Sequence, residues 1–424
     1  MERRFKVRLR ELVEDAVVAP EVFAGMMPRI ERFVEPFAAA LVRCEQRRHV
    51  SEYVAGLLSG VDRKNAESIA YLHDQERQPL QKFLGQVAWD HRPLVAELTR
   101  QVGREIGEHD GVLVIDPSGF PQKGAHSVGV ERQWCGRLGK VDNCQVGVFL
   151  AYASRQEHAL VNFRLYLPKS WARDRARRKR CGVPKHVRFQ TRHELALAML
   201  DESAAQVPHA WIAGDDELGR NAGFRGELRA RGEHYVLAVP SNTLVRAVHA
   251  TPPKYAGHGR PPQAPFLRVD RWCAALANDA WTTIDVRDAE KGPLQAEAVM
   301  TRVLAKTALR QVGPEEMLLV LRERQGDGTW KHDYHLCHAP RDTPLAELVR
   351  VAKAEHRVED CFQRAKSEAG LAHYEVRTWP GWHHHITLSL LATWFLTLEA
   401  RREKKHRPGD DRAPSPTNDR TLAA

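Results

Sequence analysis

The sequence predicts an α/β protein with a helical N-terminal part, and three observations carry that prediction. The first 108 residues repeat their apolar positions at helical spacing. From about residue 110 the chain switches to short β-prone apolar runs with turn residues between them. Amphipathic helical segments lie among and after those runs. At 424 residues the chain exceeds what a single core usually organises, so several domains are expected. The composition divides it at 1–108, 109–250, 251–345, 346–400 and 401–424.

Each part has its own justification. In "ELVEDAVVAPEVFAGMMPRIERFVEPFAAALVRC" and "RPLVAELTRQVGREIG" apolar residues recur every three or four positions, and Pro20, Pro28 and Pro36 should cut the first stretch into short helices. "GVLVIDPSG", "CQVGVFLAYAS", "ALVNFRLYLP" and "HAWIAGDDE" then read as strands of a mixed sheet, and Pro117 to Gly119 should break the first of them. "TRHELALAMLDESAAQ" reads as a helix before the fourth strand, and "AGFRGELRARG" as a helix closed by Gly232 before the strand "HYVLAVP". Residues 251–345 alternate Pro/Gly-rich loops with the strands "WTTIDV", "AVMTRVL", "EMLLVLRER" and "YHLCHA", a β-rich insertion. Two helices follow, and the tail from Arg407 has nothing to bury and should be disordered.

Composition narrows the function classes. Hydrophobic residues make up 43% and charged residues 28%, ordinary for a globular protein, and no run is long and apolar enough for a membrane span. The N-terminal "MERRFKVRLRELVEDAV" lacks a signal-peptide apolar region, and seven scattered cysteines without a Cys-x2-Cys pair suit a reducing cytoplasm. The net charge is +10, and residues 164–192 hold eleven Lys or Arg against the single acid Asp174. Lys169, Arg173, Arg175, Arg177, Arg178, Lys179 and Arg180 lie here, with Phe163, Tyr166, Trp171 and Phe189 interleaved. Such a stripe suits phosphate contact with base or sugar stacking, so a nucleic acid is the expected partner.

Three acids stand out by position. Asp116 closes one strand, Asp215 closes another with Asp216 and Glu217 beside it, and Glu359 lies in the late helix. On a wheel of about 100° per residue centred on Val358, an apolar stripe of Val351, Ala354, Phe362, Ala365 and Ala369 faces the core. Glu359 and Lys366 fall together at the edge of that stripe, and Glu355 shares their side and competes for the same role. Glu368 falls on the opposite flank. Asp216 is the alternative at the second block, although in a continuing strand it would point to the other face. Three carboxylates from two strand ends and a helix suit a pair of Mg²⁺ ions, with Mn²⁺ as substitute, for in-line displacement at phosphorus. A lysine on the same helix face suits the DNA backbone near the scissile phosphate.

Four blocks carry a resemblance. "DPSGFPQKGAHSVGVERQWCGRLGKVDNCQVGVFLAYAS" (116–154), "YLPKSWARDRARRKRCGVP" (166–184), "GDDELGRNAGFRGEL" (214–228) and "HRVEDCFQRAKSEAGLAHYEVRTWPGWHHHITLSLLATWFL" (356–396) resemble, in order, those of DDE-type insertion-sequence transposases of the insertion sequence 701 group. The resemblance covers most of residues 10–400. It implies a ribonuclease H-like mixed-sheet catalytic core (109–250 and 346–400), interrupted by the β-rich insertion and preceded by an α-helical DNA-binding domain (1–108). It also implies Asp116, Asp215 and Glu359 as the catalytic, metal-holding acids, Mg²⁺-dependent cutting and strand transfer on double-stranded DNA, and a homodimer on that DNA. Related cut-and-paste transposases carry Tyr-x2-Arg-x3-Glu-x6-Lys. Glu359 and Lys366 match its second half, while Ala352 and Glu355 stand at its Tyr and Arg positions. Arg357 is the nearest basic replacement, but the wheel puts it away from the cleft side.

Other features receive smaller readings. His383 to His385 begin a helix, where solvation and DNA contact are expected ahead of a metal site, and Trp379 and Trp382 read as core anchors in a loop. Cys135 and Cys144 read as small buried hydrophobes. Ser118, His126 and Asp142 lack the Gly-x-Ser-x-Gly elbow of a hydrolase. Two rival functions stand beside the transposase: a relative that binds DNA without cutting, and a Mg²⁺ nuclease that hydrolyses without joining.

Overall fold

The computed structural model describes residues 25–287, 294–307 and 311–406. Five helices open it: α1 (Met26–Ala38), α2 (Cys44–Leu57), α3 (Ala66–Leu72), α4 (Arg77–Gly85) and α5 (Arg92–Ile106). Pro28 and Pro36 do not cut α1 as expected. Pro28 sits in the first turn, where the missing N–H has no intrahelical acceptor, and Pro36 sits in the last turn. Pro20 and the expected tail from 407 lie outside the described residues.

The sheet begins with β1 (Val112–Pro121), followed by β2 (Glu131–Cys135), β3 (Lys140–Ala153) and β4 (His158–Leu165). β1 runs antiparallel to β3, and β3 antiparallel to β4. After α6 (Lys169–Arg173), α7 (Arg175–Arg180) and α8 (Arg192–Ser203) come β5 (Trp211–Gly214), α9 (Asp216–Gly219), α10 (Ala222–Ala230) and β6 (His234–Ala238). β5 lies parallel to β1, and β6 parallel to β5. The order β4-β3-β1-β5-β6 is the mixed-sheet core that the ribonuclease H-like resemblance implies. Gly232, at φ 77°, closes the turn between α10 and β6, where a left-handed residue is needed.

β1 does not break at Pro117. The antiparallel ladder to β3 continues through Asp116↔Phe149, Pro117↔Val148 and Ser118↔Gly147 to Pro121. The parallel ladder to β5 ends at Ile115↔Gly214, so from Asp116 onward one side of β1 is unpaired and a residue without an N–H is tolerated there.

The β-rich segment joins this same sheet. β7 (Leu244–Ala247), β8 (Leu267–Arg268), α11 (Val269–Ala274), β9 (Thr282–Arg287), β10 (Leu294–Lys306), β11 (Val312–Arg324) and β12 (Trp330–His338) follow in the chain. β12 pairs antiparallel with β6, giving a continuous order β2-β3-β1-β5-β6-β12-β11-β10-β7-β8 among the described residues. A buried ion cluster ties the segment to the core. Arg225 donates to Glu316 at 2.8 Å, and the Tyr235 hydroxyl donates to the same carboxylate at 2.6 Å, with both charges almost fully shielded from water.

Two long helices complete the molecule. α12 (Leu345–Ser367) lies across β1, β3, β4, β5 and β6, and buries Val351, Ala354, Val358, Phe362 and Ala365, the stripe that the wheel selects. α13 (Trp379–His406) packs on α2, α4, α5 and β4, and carries residues 401–406 within the helix rather than in a tail. Trp379 and Trp382 begin α13 instead of lying in a loop, and Trp382 is a core anchor. His383 to His385 are buried, not solvated at a helix end. His384 bonds the Leu84 and Trp89 carbonyls, and His385 meets the Tyr53 hydroxyl at 2.9 Å and the Gly370 carbonyl at 3.1 Å. Burial lowers the pKa of all three, while at His384 the two carbonyl contacts oppose the fall, since a neutral imidazole can donate to only one of them.

Candidate active site

The register of β1 and β5 builds the site. Their last parallel pair is Ile115↔Gly214, and the next residues in each chain are Asp116 and Asp215. Adjacent strands lie about 5 Å apart, so the two aspartates stand side by side where the parallel ladder ends, Asp116 still paired to β3 and Asp215 just past the end of β5, on the carboxyl side where open α/β sheets place their sites. Asp215 ends the strand and caps α9, its carboxylate accepting from the Leu218 N–H at 3.2 Å. Asp216 does not continue the strand. It begins the helical turn and pairs with Arg220 at 2.6 Å, turned towards solvent.

α12 supplies the other wall. Lys366 donates to the Ser118 hydroxyl at 2.9 Å and stands over the Phe120 and Phe362 rings. Asp116, Ser118, Glu359, Lys366 and His373 line one cleft of about 740 Å³, and the turn at Gly136 and Arg137 closes its far side. Glu359 is the most exposed of the site's carboxylates and meets His356 at 3.4 Å. Glu355, one turn earlier on the same helix, lies deeper.

Electrostatics identify which acids face one another. Burial pushes Asp116 up to about 6; Lys366 opposes the shift and Glu359 reinforces it. Burial pushes Asp215 up to about 7; its bond from Leu218 opposes, and Asp116 adds like-charge repulsion. Burial and then the charges of Asp215, Asp116 and Glu359 push Glu355 up to about 8. Glu359 goes the other way, held below the usual range by its bond to His356. Burial also lowers the Lys366 pKa, while Asp116 works against the fall. Asp116, Asp215, Glu355 and Glu359 therefore share one field. Among the described residues no three acid, His or Cys side chains converge closely enough to hold a metal ion as they stand.

The remaining sequence candidates divide. Ser118 serves Lys366, and Asp142 is paired with Lys140 at 3.1 Å, so they form no hydrolase triad. Arg357 bonds the Ser154 and Glu157 carbonyls on the far flank of α12, away from the cleft. In the basic segment Lys169, Arg173, Arg175, Lys179 and Arg180 are exposed. Arg177 pairs with Asp174 and stacks on Trp171, and Arg178 donates to the Pro184 and Val187 carbonyls. Phe163 and Trp171 are buried in the core and offer no face for stacking, while Lys169 covers Phe189 and Arg192 covers Tyr166. Cys135 and Cys144 are buried, as expected of small hydrophobes.

Comparison with known proteins adds three findings. A family model described as a DDE superfamily endonuclease matches residues 36–293. A probable transposase for insertion sequence element IS701 from Microchaete diplosiphon is 38% identical over 198 residues, covering 45% of this chain and 48% of the relative. The chain thus spans about half the length of that curated relative. The cryo-EM structure of the piggyBac transposase synaptic complex with hairpin DNA aligns with 90% of this chain and 74% of its own, at a TM-score of 0.40 and 10% identity.

Proposed function

Because the chain belongs to the DDE superfamily of endonucleases, we propose that it is a DNA transposase whose cutting and joining centre is the cleft between β1, β5 and α12. The observation that carries this reading is the Ile115↔Gly214 register, which supports a pairing of Asp116 with Asp215 where the parallel ladder ends. Asp116, Asp215 and Glu359 are the residues that would hold divalent cations, with Mg²⁺ the natural ion and Mn²⁺ a substitute. The donor set fits: carboxylate oxygens suit a hard ion, and burial raises the pKa values of Asp116 and Asp215, with Lys366 the opposing cation at Asp116. When bound, two such ions supply an activated attacking oxygen and a stabilised leaving oxygen in displacement at phosphorus.

The chain's own residues do the rest. Lys366 places a positive charge beside Asp116 and within reach of the scissile phosphate. Glu355, at about 8, stays protonated near neutral pH and keeps a further negative charge out of the cleft. The hydroxyl of Ser118 fixes the Lys366 ammonium against β1. Lys169, Arg173, Arg175, Lys179 and Arg180 grip the duplex along its phosphates. Double-stranded DNA is the partner, two copies act on two element ends, and the reaction belongs in the cytoplasm on chromosomal DNA. Among the described residues no helix is long and apolar enough to cross a membrane.

A supercoiled plasmid carrying the sequences that flank the gene tests the proposal. Excision with joined products in Mg²⁺ supports a transposase. Cutting without joined products makes the protein a nuclease, and binding without cutting makes it the non-cutting relative.

A further inference from the structure

The turn of the β2–β3 hairpin lines the cleft together with residues of β1 and α12. That turn, Gly136 to Leu138, ends at Gly139 in the left-handed region, and Gly136 and Arg137 line the same cleft as Asp116 and Lys366. The hairpin sits close on β1 through Cys135. A Cβ at Gly119 would stand 2.9 Å from the Cys135 sulfur, so glycine there permits the approach. Cys135 therefore fixes which face of β2 looks inward, and alternation turns Arg132 and Trp134 outward. Val141 stands directly opposite Trp134 and shares its face.

That outer face is unusual in chemistry as well as in place. Trp134 is 56% exposed, Val141 51% and Leu138 42%, so large apolar side chains crowd one hairpin tip in water. Neither Arg132 nor Arg137 forms an ion pair among the described residues; the nearby Asp142 bonds Lys140 and feels the charge of Arg132 only at longer range. An exposed indole on a hairpin that also carries the exposed Arg132 and Arg137 suits a polyanion that also offers apolar sugar and base edges. A second copy of the chain fits less well, because a two-fold contact would bring like-charged tips together.

We propose that this hairpin tip is a DNA-contacting element at the mouth of the cleft, an inference that rests on reading the cleft as the cutting centre. Arg137, which lines the cleft, binds a phosphate at its mouth, and Trp134 and Arg132 hold the sugars, base edges and phosphates of the duplex where it runs past the outer face of the tip. Trp134 acts in holding DNA, not in the bond-breaking step.

Two measurements on the full chain test it, using a fluorescein-labelled duplex made from the gene's flanking sequence. The first is affinity. Trp134→Ala should weaken binding roughly tenfold or more, and Arg132→Ala should lower the slope of log affinity against log salt by about 1. The second places benzoylphenylalanine at position 134 and irradiates the complex. Crosslinks to the duplex support the proposal. Unchanged affinity in both variants, or crosslinks only to a second protein chain, would overturn it. The two claims fail separately. Loss of Mg²⁺-dependent cutting in Asp116→Asn, with affinity kept, tests the cleft, whereas the hairpin variants are read by affinity and crosslinking alone.

Discussion

Ile115 and Gly214 are the last paired residues of two neighbouring parallel strands, and each is followed by an aspartate. That single register decides the site. A shift of one residue in either strand would separate Asp116 from Asp215 along the sheet and turn one of them to the opposite face.

The mutual burial of these acids makes the metal-free protein sensitive to alkali. Asp116, Asp215 and Glu355 are raised to about 6, 7 and 8 from ordinary values near 4. A raised carboxyl binds its proton more tightly folded than unfolded. Its contribution is therefore full below the unfolded pKa and is lost as pH rises through the folded one. In EDTA the melting temperature should fall between about pH 4 and pH 8, and millimolar Mg²⁺ should restore most of it at the upper end. A metal-free melting temperature that rises over that interval contradicts the account.

Glu355→Gln mimics the protonated acid without changing its shape. The variant should flatten the upper part of that pH profile, from about pH 6 to 8, and melt at or above the wild-type temperature at pH 8. Differential scanning fluorimetry in EDTA reads both effects. A variant that melts several degrees lower at pH 8 would show that Glu355 is held charged by an attractive partner.

Gly219 sets the position of α9, and with it Asp215. A Cβ there would stand 1.9 Å from the Ala238 carbonyl oxygen, a clash with backbone that no rotamer relieves. Gly219→Ala should cost about 1–3 kcal/mol of stability by overpacking, and should weaken cutting more than binding because Asp215 moves. Urea unfolding beside a cutting assay checks it, and an unchanged midpoint contradicts it.

The Arg225–Glu316–Tyr235 cluster should be costly to break. Glu316 is fully buried, so Glu316→Ala leaves Arg225 charged and unpaired inside the protein. Breaking one partner of a buried pair costs about 3–5 kcal/mol. Denaturant titration should show a loss of that order, with Arg225→Met/Glu316→Leu recovering much of it.

Several of these features were legible in the sequence. Asp116 and Asp215 each end an apolar run, although only Asp215 also ends its strand, and helical spacing puts Glu359, Lys366 and Glu355 on one edge of α12. What the sequence hid was non-local. β1 passes through Pro117 because its β5 side is open there, which depends on where a strand about a hundred residues away stops. β12 joins β6 because of a pairing choice that no local pattern encodes. His383 to His385 read as a polar helix start, yet in the core His384 meets the carbonyls of Leu84 and Trp89 and His385 that of Gly370, all distant in the chain, while His383 bonds the Trp379 carbonyl one turn back. Trp134 carried a readable signal, alternation in a strand with Arg132, but its exposure depends on Cys135 being drawn down onto Gly119.

The most direct measurement is DNA cutting and joining by Asp116→Asn, compared with the wild type in Mg²⁺ on the plasmid bearing the flanking sequences. Asp116 has no neighbouring carboxylate within β1 to replace it, because Pro117 follows. The account predicts that the variant folds, binds the duplex with wild-type affinity and loses at least about a thousandfold in cutting, more than 4 kcal/mol of barrier. Excision at the wild-type rate by Asp116→Asn would contradict it.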